Sequence, residues 1–213
     1  MLNKSPLKGI REPVVVLVNG CYPVHRAPLQ VLQKAGFLLC TDGSADKAIA
    51  HGFKPDLIIG DLDSTGLSLI EERYKIVKVI DQNFTDLEKA IDWLIDNQII
   101  KVSFVGITGD RDDHALANLM ILHSHSTNLE IQAVTDHTTI NFISGTRHFN
   151  STPGQTVSIL TFQKIDSVTT IGLECPLTNA LLLPSGRGIS NTATGKEFTI
   201  ETSGTLLVFR NHF

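Results

Sequence analysis

No stretch of the 213-residue chain concentrates lysine or arginine, and the formal net charge is -4. Binding to nucleic acid or to an anionic membrane surface needs a basic footprint, so neither is an expected partner, and small molecules or proteins are. Cysteine is scarce. Cys21, Cys40 and Cys175 stand far apart, with no Cys-x-x-Cys and no Cys/His pair at ligand spacing, which argues against a disulfide framework or a zinc site and fits a reducing, cytoplasmic setting. No apolar run approaches the ~20 residues of a membrane span, and MLNKSPLKGIREP lacks the apolar core of a signal peptide, so a soluble, unexported protein is expected. Gly-x-x-x-x-Gly-Lys-Ser/Thr, Gly-x-Gly-x-x-Gly and Gly-x-Ser-x-Gly are all missing, which removes a P-loop, a dinucleotide fingerprint and a nucleophile elbow from consideration.

What is present is a series of continuous apolar, β-branched runs. PVVVLVNG (13–20), GFLLCTDG (36–43), PDLIIGD (55–61), YKIVKVID (74–81) and IKVSFVGITG (100–109) read as strands, the first buried on both faces. Helical stretches fall between several of them, including APLQVLQKA, SADKAIAHG and DLEKAIDWLIDNQ, and HALANLMILHSHS follows the last. Strand and helix in alternation predict a parallel sheet covered by helices. From Asn128 onward the candidates are short strands alone: LEIQAV, TTINFI, TRHFN, QTVSILTF, SVTTIG, NALLL, KEFTIE and GTLLVFR. Their spacing predicts an antiparallel β-sandwich. The expected organisation is an α/β domain over 1–126 and a β-sandwich over 127–213.

Ligands of open α/β sheets bind beyond the carboxyl ends of the strands, where this chain repeatedly places acids. Asp42 follows the second strand, Asp61 and Asp63 the third, Asp81 to Asp86 the fourth, and Asp110 to Asp113 the fifth. Side chains two apart on an extended chain point the same way, so Asp61 and Asp63 face one spot. Any one of these aspartates is explained by turn chemistry, but several acidic loops at one sheet edge form an oxygen-rich pocket suited to Mg²⁺ and, through it, to a polyphosphate. Thr85 and Glu88 form a Thr-x-x-Glu capping box that places Asp86 in a first helical turn. Arg111 offers a fork for phosphate or an ion pair with a neighbouring aspartate. Trp93 is expected in the core, and His114 is expected to serve packing or a local hydrogen bond; His123 and His125 have no further ligand at metal spacing.

Two resemblances bear on the aspartate pair. LIIGDLDST resembles the haloacid-dehalogenase phosphatase motif, with Asp61 as nucleophile and Asp63 as acid, although that motif belongs on a first strand and two strand candidates precede it here. The ordered set TDGSADKAIAHGFKPDLIIGDLDS, DQNFTDLEKAIDWL, GITGDRDDHALANL and, in the β-rich tail, SNTATG resembles the thiamine pyrophosphokinases over roughly residues 14 to 213.

The second resemblance implies a Rossmann-like domain followed by a β-sandwich, a homodimer with active sites between subunits, and diphosphate transfer from ATP to thiamine. By position it implies that Asp61, Asp63 and Asp86 hold Mg²⁺ and the ATP phosphates and carry catalysis. Asp42, Gln82, Thr85, Gly109 and Arg111 would contact nucleotide, and Asp113, Ser190 and Asn191 would contact substrate. Ser44, Asp46, Asn83 and Asp110 depart from the common pattern, and Cys175 stands where an aromatic residue often covers the thiamine ring. A phosphatase and a non-catalytic ligand-binding protein remain the alternative readings.

Overall fold

The run PVVVLVNG supplies β1 (Val14–Leu17), buried at every residue. β2 (Phe37–Thr41) and β3 (Leu57–Gly60) are buried throughout as well, which is why these segments lack the apolar-polar alternation of a half-wet strand. The computed structural model describes residues 9–61, 74–109 and 111–213, and the chain divides into two compact units, Met1–Asp136 and His137–Phe213. Among the described residues no helix is long and apolar enough to cross a membrane.

In the first unit β4 (Ile76–Lys78), β5 (Lys101–Val105) and β6 (Glu130–Val134) complete a sheet of order β6-β5-β1-β2-β3-β4. Every pairing in it is parallel. Helices α1 (Arg26–Gln33), α2 (Ser44–Ala50), α3 (Asp86–Asp96) and α4 (Asp112–His125) connect the strands. Alternate strand residues serve opposite faces: Val15, Leu17, Leu38, Cys40 and Ile58 form one core with Leu32 of α1 and Ala45 and Ala48 of α2. Against the sheet α3 turns Leu87, Ala90, Ile91, Trp93 and Leu94, all buried, and Trp93 stacks on Phe37 of β2 with centroids 5.9 Å apart. A buried side chain of this size contributes about 1.5–3 kcal/mol relative to an exposed one, so this face fixes the helix and its first turn in place.

The second unit is antiparallel. β7 (Thr138–Asn150) and β12 (Glu197–Asn211) pair along nearly their whole length. On its other edge, the first half of β12 pairs with β9 (Ile165–Ile171) and the second half with β8 (Thr156–Leu160). β10 (Ala180–Leu182) extends the β9 arm and β11 (Asn191–Thr192) the β8 arm. Val157 and Ile159 of β8 enter the same core as Ile165 and Val168 of β9, with Phe198, Ile200 and Val208 from β12.

Three expectations are corrected. LEIQAV is not the first strand of the β-rich half; as β6 it pairs with β5 over Lys101–Val105, and the division between units falls after Asp136 instead of after residue 126. The pair TTINFI and TRHFN is one strand, and so is the pair KEFTIE and GTLLVFR. In β12 the register shifts between Thr202 and Leu206, and Thr202 Oγ1 donates to Gly204 O at 2.9 Å, so a Ser-Gly break that reads as a turn is a bend within a continuous strand.

Candidate active site

Parallel strands present all their carboxyl ends at one edge, and the strand order reverses between β1 and β5. A cavity of about 600 Å³ opens at that edge. Its walls include Val18, Asn19 and Gly20 after β1, Asp42 after β2, Asp61 after β3, Gln82, Phe84 and Thr85 just before α3 with Asp86 and Leu87 in its first turn, and Ile107 and Gly109 after β5. This is where an open α/β sheet binds ligands.

Backbone contacts beyond the strands shape the floor. Val18 N donates to Val105 O at 2.8 Å, Gly20 N to Gly106 O at 2.8 Å and Cys21 N to Thr108 O at 2.9 Å, so the loops after β1 and β5 continue side by side. Asn118 of α4 donates from Nδ2 to Ile107 O at 2.8 Å and ties the second loop to the helix. Gly109 has φ +92°, and a Cβ there would collide with Cys21, so both the turn and the close approach require glycine.

Asp42, Asp61 and Asp86 each bring a carboxylate oxygen to within 4.8 Å of the others. Asp42 is 2% exposed, and its Oδ1 accepts from Gly43 N at 2.7 Å. Gly60 makes room for it, since a Cβ at that position would run into Asp42. Asp86 opens α3 behind the capping box: Glu88 N donates to Thr85 Oγ1 at 3.3 Å, and Thr85 N donates to Glu88 Oε2 at 2.8 Å. Lys89, one turn on and 5% exposed, donates to Asp86 Oδ1 at 2.9 Å. Three oxygen donors from three separate segments, with no nitrogen or sulfur among them, fit a hard divalent cation such as Mg²⁺.

The other residues singled out in sequence fall as follows. Arg111 lines the cavity, yet its fork is engaged: Nε donates to Asp113 Oδ1 at 3.1 Å and Nη2 to Oδ2 at 2.6 Å. The hydrogen bond from Arg111 holds the Asp113 carboxyl down to about 2. Asp81 belongs to a turn, its Oδ1 accepting from Asn83 N at 2.9 Å. Asp63 and Asp110 lie outside the described residues. Gln82, Thr85, Gly109 and Arg111 share the cavity with the three acids, whereas Asp113 does not line it. Ser190 and Asn191 belong to the second unit. There Ser190 adopts φ 57° and donates from its backbone to Ser158 Oγ at 3.0 Å. The Asn191 amide grips the Cys175 backbone, accepting from its N at 3.0 Å and donating to its O at 2.7 Å.

Sequence reasoning missed Lys89, Lys47 and Phe84, which also line the cavity. Lys47 donates to Gly20 O at 2.7 Å. Lys89 left a trace, since it is a lysine on the apolar face of α3, between Leu87 and Ala90, three residues after an acid. Trp93 is 5% exposed, as expected of a core residue.

Comparison with known proteins covers both units. Residues 29–133 match the model of the thiamin pyrophosphokinase catalytic domain, and residues 140–209 match that of the thiamin pyrophosphokinase substrate-binding domain. Thiamine pyrophosphokinase 1 of Arabidopsis thaliana is 28% identical, the match covering 93% of this chain and 85% of the relative. Thiamine pyrophosphokinase of Bacillus subtilis is 29% identical over 75% of this chain and 80% of its own. The crystal structure of thiamine pyrophosphokinase from Bacillus subtilis superposes with a TM-score of 0.80 at 23% identity, covering 93% of this chain and 98% of that one, and its fold is a mixed α/β, sheet-rich one like this. The phosphatase resemblance stays confined to the motif LIIGDLDST. With family models matched in order across most of its length, and a relative aligned over 93% of it, the chain belongs to the thiamin pyrophosphokinase family.

Proposed function

We propose that this protein transfers the diphosphate of ATP to the hydroxyl of thiamine, giving thiamine diphosphate and AMP. The observation that carries the reading is the convergence of Asp42, Asp61 and Asp86 in one cavity beyond the strand ends of a parallel sheet. Such an edge suits a nucleotide, and three carboxylates would repel its phosphates unless a cation lay between them. Mg²⁺ held by Asp42, Asp61 and Asp86 would neutralise charge along the triphosphate; Asp63 is assigned to the same set on its motif alone.

The chain's own groups then position and balance charge. In the transfer, the thiamine oxygen bonds to the β-phosphorus, the bond from that phosphorus to the α-β bridging oxygen breaks, and AMP departs with the electron pair. The hydroxyl proton passes to a carboxylate of the cluster. Lys89 orients Asp86 through its 2.9 Å bond. Lys47 and Arg111 supply further positive charge at the cavity wall, Arg111 after release from Asp113. Gln82, Thr85 and Gly109 contact the nucleotide in this reading, and Asp113, Ser190 and Asn191 serve the substrate side. Positioning and electrostatics carry most of the acceleration in reactions of this class.

The first unit is read as a Rossmann-like ATP- and Mg²⁺-binding domain and the second as a β-sandwich that binds thiamine. The working form is read as a cytoplasmic homodimer. Separation of AMP from ADP after incubation with ATP and Mg²⁺, with and without thiamine, tests the reaction. AMP formation that depends on thiamine is expected, and Asp61→Asn lowers it at least about 100-fold. Phosphate release without thiamine would sink the reading in favour of a phosphatase, and release of neither product would leave a binding protein.

A further inference from the structure

Phe84 is 48% exposed, and it lines the cavity that holds the three acids. Three residues later Leu87 is 2% exposed, so the segment does not lack a core to turn toward. The backbone on both sides of Phe84 is tied. Before it, Asp81 Oδ1 accepts from Asn83 N at 2.9 Å and from Asn83 Nδ2 at 2.8 Å. After it, Thr85 is the helix cap, bonded to Glu88. A ring held by a fixed turn at the wall of a cavity presents a stacking face without the entropic cost of ordering a loop.

The surroundings narrow what such a face can take. Phe84 shares the cavity lining with Gln82, Asp86, Asp61 and Asp42, so a ligand that meets its ring also meets polar and negatively charged groups in the same cavity. An aliphatic ligand would gain from the ring and lose against the carboxylates. A planar heteroaromatic ring satisfies both, stacking on the phenyl while its edge reaches polar partners, and a positively charged ring gains further from the face of the phenyl and from the acids.

We infer that Phe84 is a specificity-determining residue that stacks on a planar heteroaromatic ring of a substrate bound in this cavity. The inference rests on the proposed reaction, both of whose substrates carry such rings: the adenine of ATP, and the aminopyrimidine and cationic thiazolium of thiamine. The chemistry is shared between the two sources, and separate titrations tell them apart.

Wild type, Phe84→Ala, Phe84→Leu and Phe84→Tyr are titrated calorimetrically in Mg²⁺ with thiamine and, separately, with a non-hydrolysable ATP analogue, and KM and kcat are measured for each substrate. Loss of one stacking face weakens binding of one ligand about 5- to 10-fold in both the alanine and leucine variants, while tyrosine retains wild-type affinity. KM for that substrate rises by the same factor with kcat within about two-fold, the pattern of lost uniform binding. The weakened ligand identifies the source of the ring. Unchanged affinity for both ligands in Phe84→Ala overturns the stack, and so does a leucine variant that binds like wild type, because apolar bulk would then suffice. A wild type that forms no AMP from ATP and thiamine overturns the reaction itself, and the assignment of the ring to these substrates falls with it; an active wild type beside an unaltered alanine variant overturns the stack alone. Thermal melts of all four proteins identify any loss that comes from unfolding.

Discussion

A lysine on the buried face of a helix is costly unless an acid meets it, and Lys89 meets Asp86 at 2.9 Å with 4% of its side chain exposed. The pair has consequences for how the acids are tested. Asp86→Asn removes the charge partner of a buried ammonium as well as a carboxylate of the cluster. It is expected to cost about 1–3 kcal/mol of stability in urea unfolding in addition to lowering turnover. Asp61→Asn is therefore the better probe of turnover, and a stability loss in Asp86→Asn no larger than that of a surface substitution would count against the ion pair. Asp86 itself is legible from Thr-Asp-x-Glu, because capping chemistry is local. Its convergence with Asp42 and Asp61 is not, since the three acids lie on separate segments and meet only because the strands they follow are parallel and adjacent. Cysteines show the same split at this scale. Cys40 is buried in β2 while Cys21 and Cys175 are exposed, so a thiol reagent should label the latter two quickly and reach Cys40 on unfolding.

At the scale of elements, the site depends on how strands and helices end. The Thr85 cap fixes the first turn of α3, from which Asp86 projects. Thr85→Ala should cost about 1 kcal/mol in thermal or chemical unfolding and lower turnover further by loosening Asp86. In the loop after β5, Gly109→Ala adds a Cβ at φ +92° against Cys21. A loss of about 1–3 kcal/mol is expected, and an alanine variant as stable as the parent would contradict that geometry. Continuous β-branched runs made strands β1 to β5 readable, and the stretches between and after them made α1 to α4 readable. The joins inside β7 and β12 were not. Gly145 and the Ser203-Gly204 pair look like breaks in sequence, but Gly145 pairs with Thr202, and the ladder resumes at Leu206 after a register shift in which Thr202 and Gly204 bond each other.

Over the whole molecule, stability carries the signatures of two shifted groups. Burial pushes the Cys40 thiol up from 9.0 to about 12, with a smaller push from Asp56 and an opposing hydrogen bond from Ser44. The folded protein then holds a proton that the unfolded chain releases. This contribution is complete below the unfolded value and is lost as pH rises from 9.0 toward about 12. The free energy of unfolding should fall across that window, by at most about 1.4 kcal/mol per pH unit from this group, and Cys40→Ala should flatten the slope. At the acid end, the Arg111–Asp113 pair is present above the ordinary carboxylate range and opens as pH falls through about 2, so release of Arg111 near neutrality needs a competing anion and not a proton.

The division between units also belongs to this scale. LEIQAV carries the strand signal, but whether it extends the parallel sheet or starts the antiparallel unit depends on which edge accepts it, and β5 does. By itself the sequence determined the strands, the helices, the capping box and the acids at the strand ends, because hydrophobic period, cap and turn chemistry act over a few residues. Only the tertiary structure decided that Asp42 joins Asp61 and Asp86, that Lys89 bonds Asp86 and that Phe84, half-exposed, lines the same cavity. Those relations come from pairing between segments far apart in the chain, and local composition does not encode which segments become neighbours.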